Sequence, residues 1–262
     1  MLSTNNIRHF LSERMQNGIV LEVCVESIDH AIAAERGGAH RIELCTELAS
    51  EGITPSAGLM ATTRRHLKIP IYPMIRPRAG DFFYSDREIE VMERDIRTAK
   101  ELRMDGIVLG VLDQKQHVDV QRTRHLVNLA APLPVTFHRA FDLCPDRERA
   151  LEAVIETGAR RILTSGGKSR ATDALTRLRG LVEAARGRII IIPGGGVRAQ
   201  NVQQILEQTA ASEIHTSLGM VSGRIEENGA SQPGSDSSQV GDFSEFEHRA
   251  REIRDILENV SA

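Results

Sequence analysis

The sequence predicts an α/β fold, a single-domain (β/α)8 barrel, from three observations. Eight short runs rich in Ile and Val are spread along the chain. An amphipathic, helix-like segment follows each run, the alternation that parallel strands with covering helices produce. The length of 262 residues suits eight such units.

The runs cover residues 19–25, 41–45, 71–76, 106–111, 135–138, 161–165, 188–193 and 213–218. A faint internal echo supports the repeat. GGAHRIEL (37–44), RMDGIVLG (103–110) and TGARRILT (157–164) each set a helix end before a strand, with Gly suited to the left-handed cap. Between the strands, Ser85 followed by Glu88 reads as a capping box. The segment behind it carries Ile89, Met92, Ile96 and Ala99 on one face. Asp119 suits the cap of the next helix, which bears Val120, Thr123 and Val127. Leu151, Val154 and Ile155 stripe a fifth helix, and Phe246, Ile253, Ile256 and Leu257 stripe the last. Residues 1–18 read as a polar extension. Residues 226–241 (EENGASQPGSDSSQVG) carry too little apolar surface to offset the entropy of ordering and read as a flexible loop.

Composition narrows the function. Hydrophobic residues make up 40% of the chain, enough for a sizeable core. A net charge of −3, no Trp and 3% aromatic residues argue against a nucleic-acid surface. No stretch approaches the ~20 apolar residues of a membrane helix, and the start lacks an apolar signal region. Three cysteines (Cys24, Cys45 and Cys144) are too few for a disulfide framework. A cytoplasmic location, with free thiols, is the expectation.

Strand side chains alternate with period two. In the first strand Leu21, Val23 and Val25 share one face and Glu22 and Cys24 the other. In the second, Ile42 and Leu44 oppose Arg41, Glu43 and Cys45. The apolar faces are expected to meet the helices and the polar faces to point inward. Buried Glu22 and Glu43 need partners, for which Arg41 and Arg76 are candidates. A buried ionic layer that only fills space is the alternative reading. Thr136 with His138, and Glu213 with His215, share inward parity on the fifth and eighth strands.

The motifs open two chemistries. Cys24 and Cys45 hold matching places on successive strands, about 4.8 Å apart. Two thiolates there suit one soft ion such as Cu(I), and Met74 offers a thioether. Inert burial is the alternative. At the strand ends, where barrels build active sites, Arg76 and Arg78 offer guanidinium forks for a carboxylate or phosphate. An Arg78–Asp81 contact that pins the loop is equally open. His138 near Asp142 suits a base or a ligand, or a hydrogen bond within its loop. Ser165, Gly166 and Gly167, and Gly194, Gly195 and Gly196, offer backbone N–H groups to an anion, or supply tight turns only. His215 completes that side. Cys144 reads as a bystander or as a third soft ligand.

LEVCVES (21–27), RIELC (41–45), GITPS (52–56), MIRPRAGDFFYSD (74–86), LPVTFHRAFD (133–142), RILTSGG (161–167), PGGGV (193–197) and EIHTS (213–217) together resemble the CutC copper-homeostasis family. The resemblance implies a TIM barrel, a cytosolic location, a homo-oligomer and a link to copper tolerance. It also implies Cu(I) as bound ion, held by Cys24 and Cys45. The family usually has Asp at His40 and Gly at Ile53 and Ala79. Two functions are expected from these readings. One is a copper-homeostasis protein binding Cu(I) through cysteine thiolates. The other is a barrel enzyme for a small anionic or phosphorylated metabolite. In that enzyme Glu43 and His138 do acid–base work, and Glu22, Arg76, Arg78, Asp142, Ser165, Gly166, Gly167, Gly194, Gly195 and His215 form the binding wall.

Overall fold

A computed structural model describes residues 18–221, 224–225 and 243–261. The loop expected over 226–241 lies outside them, as does the expected N-terminal extension apart from Gly18. All eight expected strands form: β1 (Val20–Val25), β2 (Arg41–Leu44), β3 (Ile71–Pro73), β4 (Ile107–Leu109), β5 (Val135–Phe137), β6 (Arg161–Thr164), β7 (Ile190–Pro193) and β8 (Glu213–Thr216). Each is shorter than the apolar run that predicted it.

Helices follow the strands in turn: α1 (Ile28–Arg36), α2 (Ala57–His66), α3 (Asp86–Glu101), α4 (Val120–Ala130), α5 (Arg147–Thr157), α6 (Leu175–Ala185), α7 (Ala199–Thr209) and α8 (Ser244–Ser261). The first five begin on a side chain that accepts a first-turn amide: Ser27, Ser56, Ser85, Asp119 and Asp146. Such caps satisfy donors that the helix itself leaves open. The Ser85–Glu88 capping box is complete in both directions. Ile89, Met92, Ile96 and Ala99 are all buried.

The strands are parallel and run in the orders β3-β2-β1-β8 and β4-β5-β6-β7. A parallel bridge from Met74 to Val108 joins the two sets, and β7 lies against β8 to complete the circle. A short antiparallel pair, β9 (Met220–Val221) and β10 (Arg224–Ile225), follows β8. Outward-facing Leu21, Val23, Ile42, Leu44, Ile71 and Ile214 belong to the main apolar layer between strands and helices. Cys24, Cys45, Tyr72, Met74 and Val108 form a separate apolar cluster inside the barrel. The split follows the expected parity.

Candidate functional site

The barrel interior holds two polar layers. The lower one joins four strands. Register places Glu22 of β1 beside Arg41 of β2 and His215 of β8. Arg41 bridges the carboxylates of Glu22 and Glu213, and Arg161 of β6 reaches Glu213 at 3.0 Å. Both guanidinium groups lie over the Tyr72 ring, 4.9 and 5.6 Å from its centroid. Burial pushes the Glu22 carboxyl upward, but Arg41 and His215 outweigh it and hold it at about 2. Glu22 is therefore ionised, and the layer's ion pairs form a polar floor beneath the cavity. Arg76 takes no part in it, contrary to the expected pairing with Glu22 and Glu43.

The upper layer carries the reactive groups. The Cys24 and Cys45 sulfurs both face inward and stand 3.6 Å apart. Ligand atoms of Cys24, Glu43 and His215 lie within 4.8 Å of one another, and all three residues are buried. His215 Nδ1 meets Glu22 Oε1 at 2.8 Å, so its Nε2 is the atom left for a ligand. The neighbouring Cys45 thiol and burial, with the Glu43 charge, push the Cys24 thiol well above its ordinary value. Burial also raises Glu43, partly offset by His215. Burial lowers His215, but Glu43 and Glu22 outweigh it and raise the imidazole.

Above this layer lies a cavity of about 190 Å³ at the carboxyl ends of the strands. Its walls include Cys24, Glu43, Met74, Phe82, His138, Arg139, Leu163, Gly195, Gly196, His215 and Ser217. Cys45 is fully buried beneath Met74 and Gly52 and does not line it. His138 is buried against Phe82, with ring centroids 4.8 Å apart. Burial and the Arg76 charge push its imidazole down to about 3, so it is neutral at ordinary pH. Two glycines of the β4 segment make room for these rings. A Cβ on Gly106 would stand 2.4 Å from Tyr72, and one on Gly110 would stand 2.5 Å from His138.

Several expected wall residues are occupied elsewhere. Arg76 is buried beside the Phe82 ring, and its guanidinium donates to the Ser50, Gly52 and Gly80 carbonyls. It pins two loops. Arg78 pairs with Asp81 and Glu88 and reaches the Phe83 carbonyl, which is the loop-pinning alternative. Asp142 does not meet His138. Its carboxylate accepts from Arg139, Thr164, both donors of Ser165, and the Gly167 amide. The Gly166 amide donates to Thr164 Oγ1 at 2.9 Å. The β6 glycine turn thus has no spare N–H for an anion. The Gly194 amide extends the strand ladder to Thr164. Of the glycines expected to bind, Gly195 and Gly196 line the cavity. Cys144 is buried against Ala140, in a different pocket.

Tyr72, Arg161 and Leu163 had no assigned role in the sequence reading, although all three share the inward parity that located Cys24 and Glu43. Phe82 sits on a loop and Arg139 on the 3-10 turn after β5, where strand parity gives no direction.

Among the described residues, no helix is long and apolar enough to cross a membrane. The CutC family model matches residues 19–220. The chain is 50% identical over 201 residues to the human copper homeostasis protein cutC homolog, covering 77% of this chain and 74% of that one. Against the family protein CutC of Vibrio campbellii it is 50% identical over 199 residues, 75% of this chain and 81% of the relative. The crystal structure of a CutC protein from Streptococcus agalactiae matches with a TM-score of 0.73 at 35% identity, over 76% of this chain and 98% of that one. A thiamine phosphate pyrophosphorylase from Pyrococcus furiosus matches at 18% identity and a TM-score of 0.58, over 92% of this chain and 96% of that one. That last likeness shows only the shared barrel fold. On sequence along most of its length and on its architecture, the chain belongs to the CutC family.

Proposed function

We propose that this protein serves copper homeostasis by binding Cu(I) at Cys24 and Cys45, with the His215 imidazole as a third donor. The carrying observation is the 3.6 Å separation of the two sulfurs inside the barrel. With metal–thiolate bonds of about 2.3 Å, that separation subtends roughly 103° at a shared ion, close to a tetrahedral angle. Sulfur and imidazole nitrogen are the donors a soft ion prefers, while the harder Glu43 oxygen is a poor one. The Glu22–His215 contact supports the same reading. A carboxylate on one ring nitrogen fixes the tautomer and orientation that present the other nitrogen to a metal.

The thiols must lose their protons to bind, and the raised Cys24 value makes that costly without an ion. Cu(I) affinity therefore rises with pH and binding releases protons. Competition against a Cu(I) chelator tests both points. The Cys24→Ser, Cys45→Ser double variant is expected to lose at least about 100-fold in affinity. His215→Ala is expected to lose less. A folded double variant that holds copper as tightly as the parent overturns the assignment.

A further inference from the structure

The cavity has chemistry that a copper site does not use. His138 Nδ1 accepts the Ala140 amide at 3.2 Å. An amide N–H can only donate, so that nitrogen carries no proton, and the neutral ring carries its proton on Nε2. This Nε2–H has no partner among the described residues. Glu43 Oε2 is likewise buried without a partner. Both residues line the same cavity. Buried polar groups are seldom left unmet, and a bound molecule is one thing that meets them.

Next to His138 the cavity wall carries a guanidinium, Arg139, paired with Asp142, and two glycine amides. Gly195 and Gly196 hold positive φ values of 94° and 69°. Among the described residues no backbone carbonyl takes up their amides. Consecutive free amides in such a turn form a concave anion site. Arg139 stands beside them, its Nε held by Asp142 at 3.1 Å and one Nη by Ser165 at 3.0 Å. That grip fixes the guanidinium at the cavity wall, and its charge is felt at His215. A Cβ on Gly195 would meet Ser169 O at 3.1 Å and Ser165 Cβ at 3.2 Å, so the turn is closely fitted.

We infer that this cavity binds a small oxyanion-bearing metabolite at two points. The oxyanion sits on the Gly195 and Gly196 amides and Arg139, and a carbonyl or hydroxyl oxygen accepts from His138 Nε2–H. The cavity of about 190 Å³ lies below the roughly 300–1,000 Å³ of pockets that take drug-sized ligands. The ligand class is therefore a compact phosphate ester or carboxylate with an oxygen function a few bonds away. The inference goes beyond copper binding and does not rest on it.

The experiment uses the unaltered chain kept metal-free by a Cu(I) chelator, so that the outcome is independent of the copper assignment and Cys24 stays in the cavity wall. Imidazole and amide ¹⁵N resonances are followed on adding dihydroxyacetone phosphate, pyruvate, inorganic phosphate or dihydroxyacetone. At the start His138 must show the Nε2–H neutral tautomer. Dihydroxyacetone phosphate or pyruvate is expected to move His138 Nε2 together with the Gly195 and Gly196 amides. Whichever does so identifies the oxyanion as phosphate or carboxylate. The better of the two is expected to bind at least about tenfold tighter than inorganic phosphate or dihydroxyacetone, each of which supplies half the contacts. His138→Gln, which keeps an acceptor and a donor, retains part of that gain. Millimolar ligand that leaves His138 and both glycine amides unmoved overturns the inference. So does phosphate alone binding as tightly as dihydroxyacetone phosphate and pyruvate.

Discussion

Individual side chains in this barrel titrate according to the company that the strands give them. Glu22 is ionised because Arg41 and His215 surround it. His138 is neutral because it is buried beside Arg76. The latter has a measurable consequence. The folded ring protonates at about 3, against an ordinary value of 6.5. As pH falls through that window the unfolded chain takes up a proton that the folded one refuses, so stability falls. Above 6.5 the contribution is full and constant. The loss is on the order of a few kcal/mol by the bottom of the window, and urea unfolding at stepped pH measures it. In His138→Gln that limb of the curve flattens. Parity made Glu22, Cys24 and Glu43 legible as inward groups before any coordinates. Alternation continues past β3, with Met74 inside the barrel and Ile75 in the outer layer. Arg76 was misread because loop carbonyls of Ser50, Gly52 and Gly80, none of them a near neighbour on its strand, take up its guanidinium.

Strands and helices form where local chemistry asks for them, with one instructive exception. Gly38 and Gly158 take positive φ at the helix ends named in the internal echo, at 90° and 85°. In the second copy Arg103 takes that role at φ 57°, and Gly106 serves the Tyr72 ring instead. The same letter thus means a cap in one repeat and a cavity wall in another, and only packing distinguishes them. The α3 cap is local and legible. Ser85→Ala removes one half of a reciprocal box and is expected to cost about 1 kcal/mol. Chemical denaturation should show this without loss of copper binding, since α3 contributes no side chain to the cavity wall. The His138–Asp142 misreading belongs at this scale. A 3-10 turn over Arg139–Leu143 carries Asp142 away from the histidine and onto β6.

The last helix covers the seam where β1 pairs with β8. α8 packs between α1 and α7, covering the helix that follows β1 and the helix that precedes β8. Phe246 is fully buried there, its ring 4.8 Å from that of His30, and Ala250, Ile253 and Leu257 continue the stripe. Gly37 lets the elements meet closely, since a Cβ there would stand 2.5 Å from Ala250 Cβ. Phe246→Ala should therefore destabilise the whole molecule by roughly 3–5 kcal/mol. Thermal unfolding in a single lowered transition is the expected signature. An unchanged midpoint would mean that the barrel closes without this helix.

By itself the sequence determined the eight-unit alternation, the faces of the strands, the helix caps and the family. Each of these depends on residues a few positions apart, where period two, period 3.6 and capping chemistry operate. Tertiary structure alone decided which polar groups remain open. Arg76, Arg78, Asp142, Gly166 and Gly167 carried the right chemistry for a binding wall but are consumed by partners up to 26 positions away in the chain. Hydrogen bonds are exclusive, so a donor already spent on a carbonyl is lost to a ligand. Which donors are spent depends on loops that meet only once the barrel has closed.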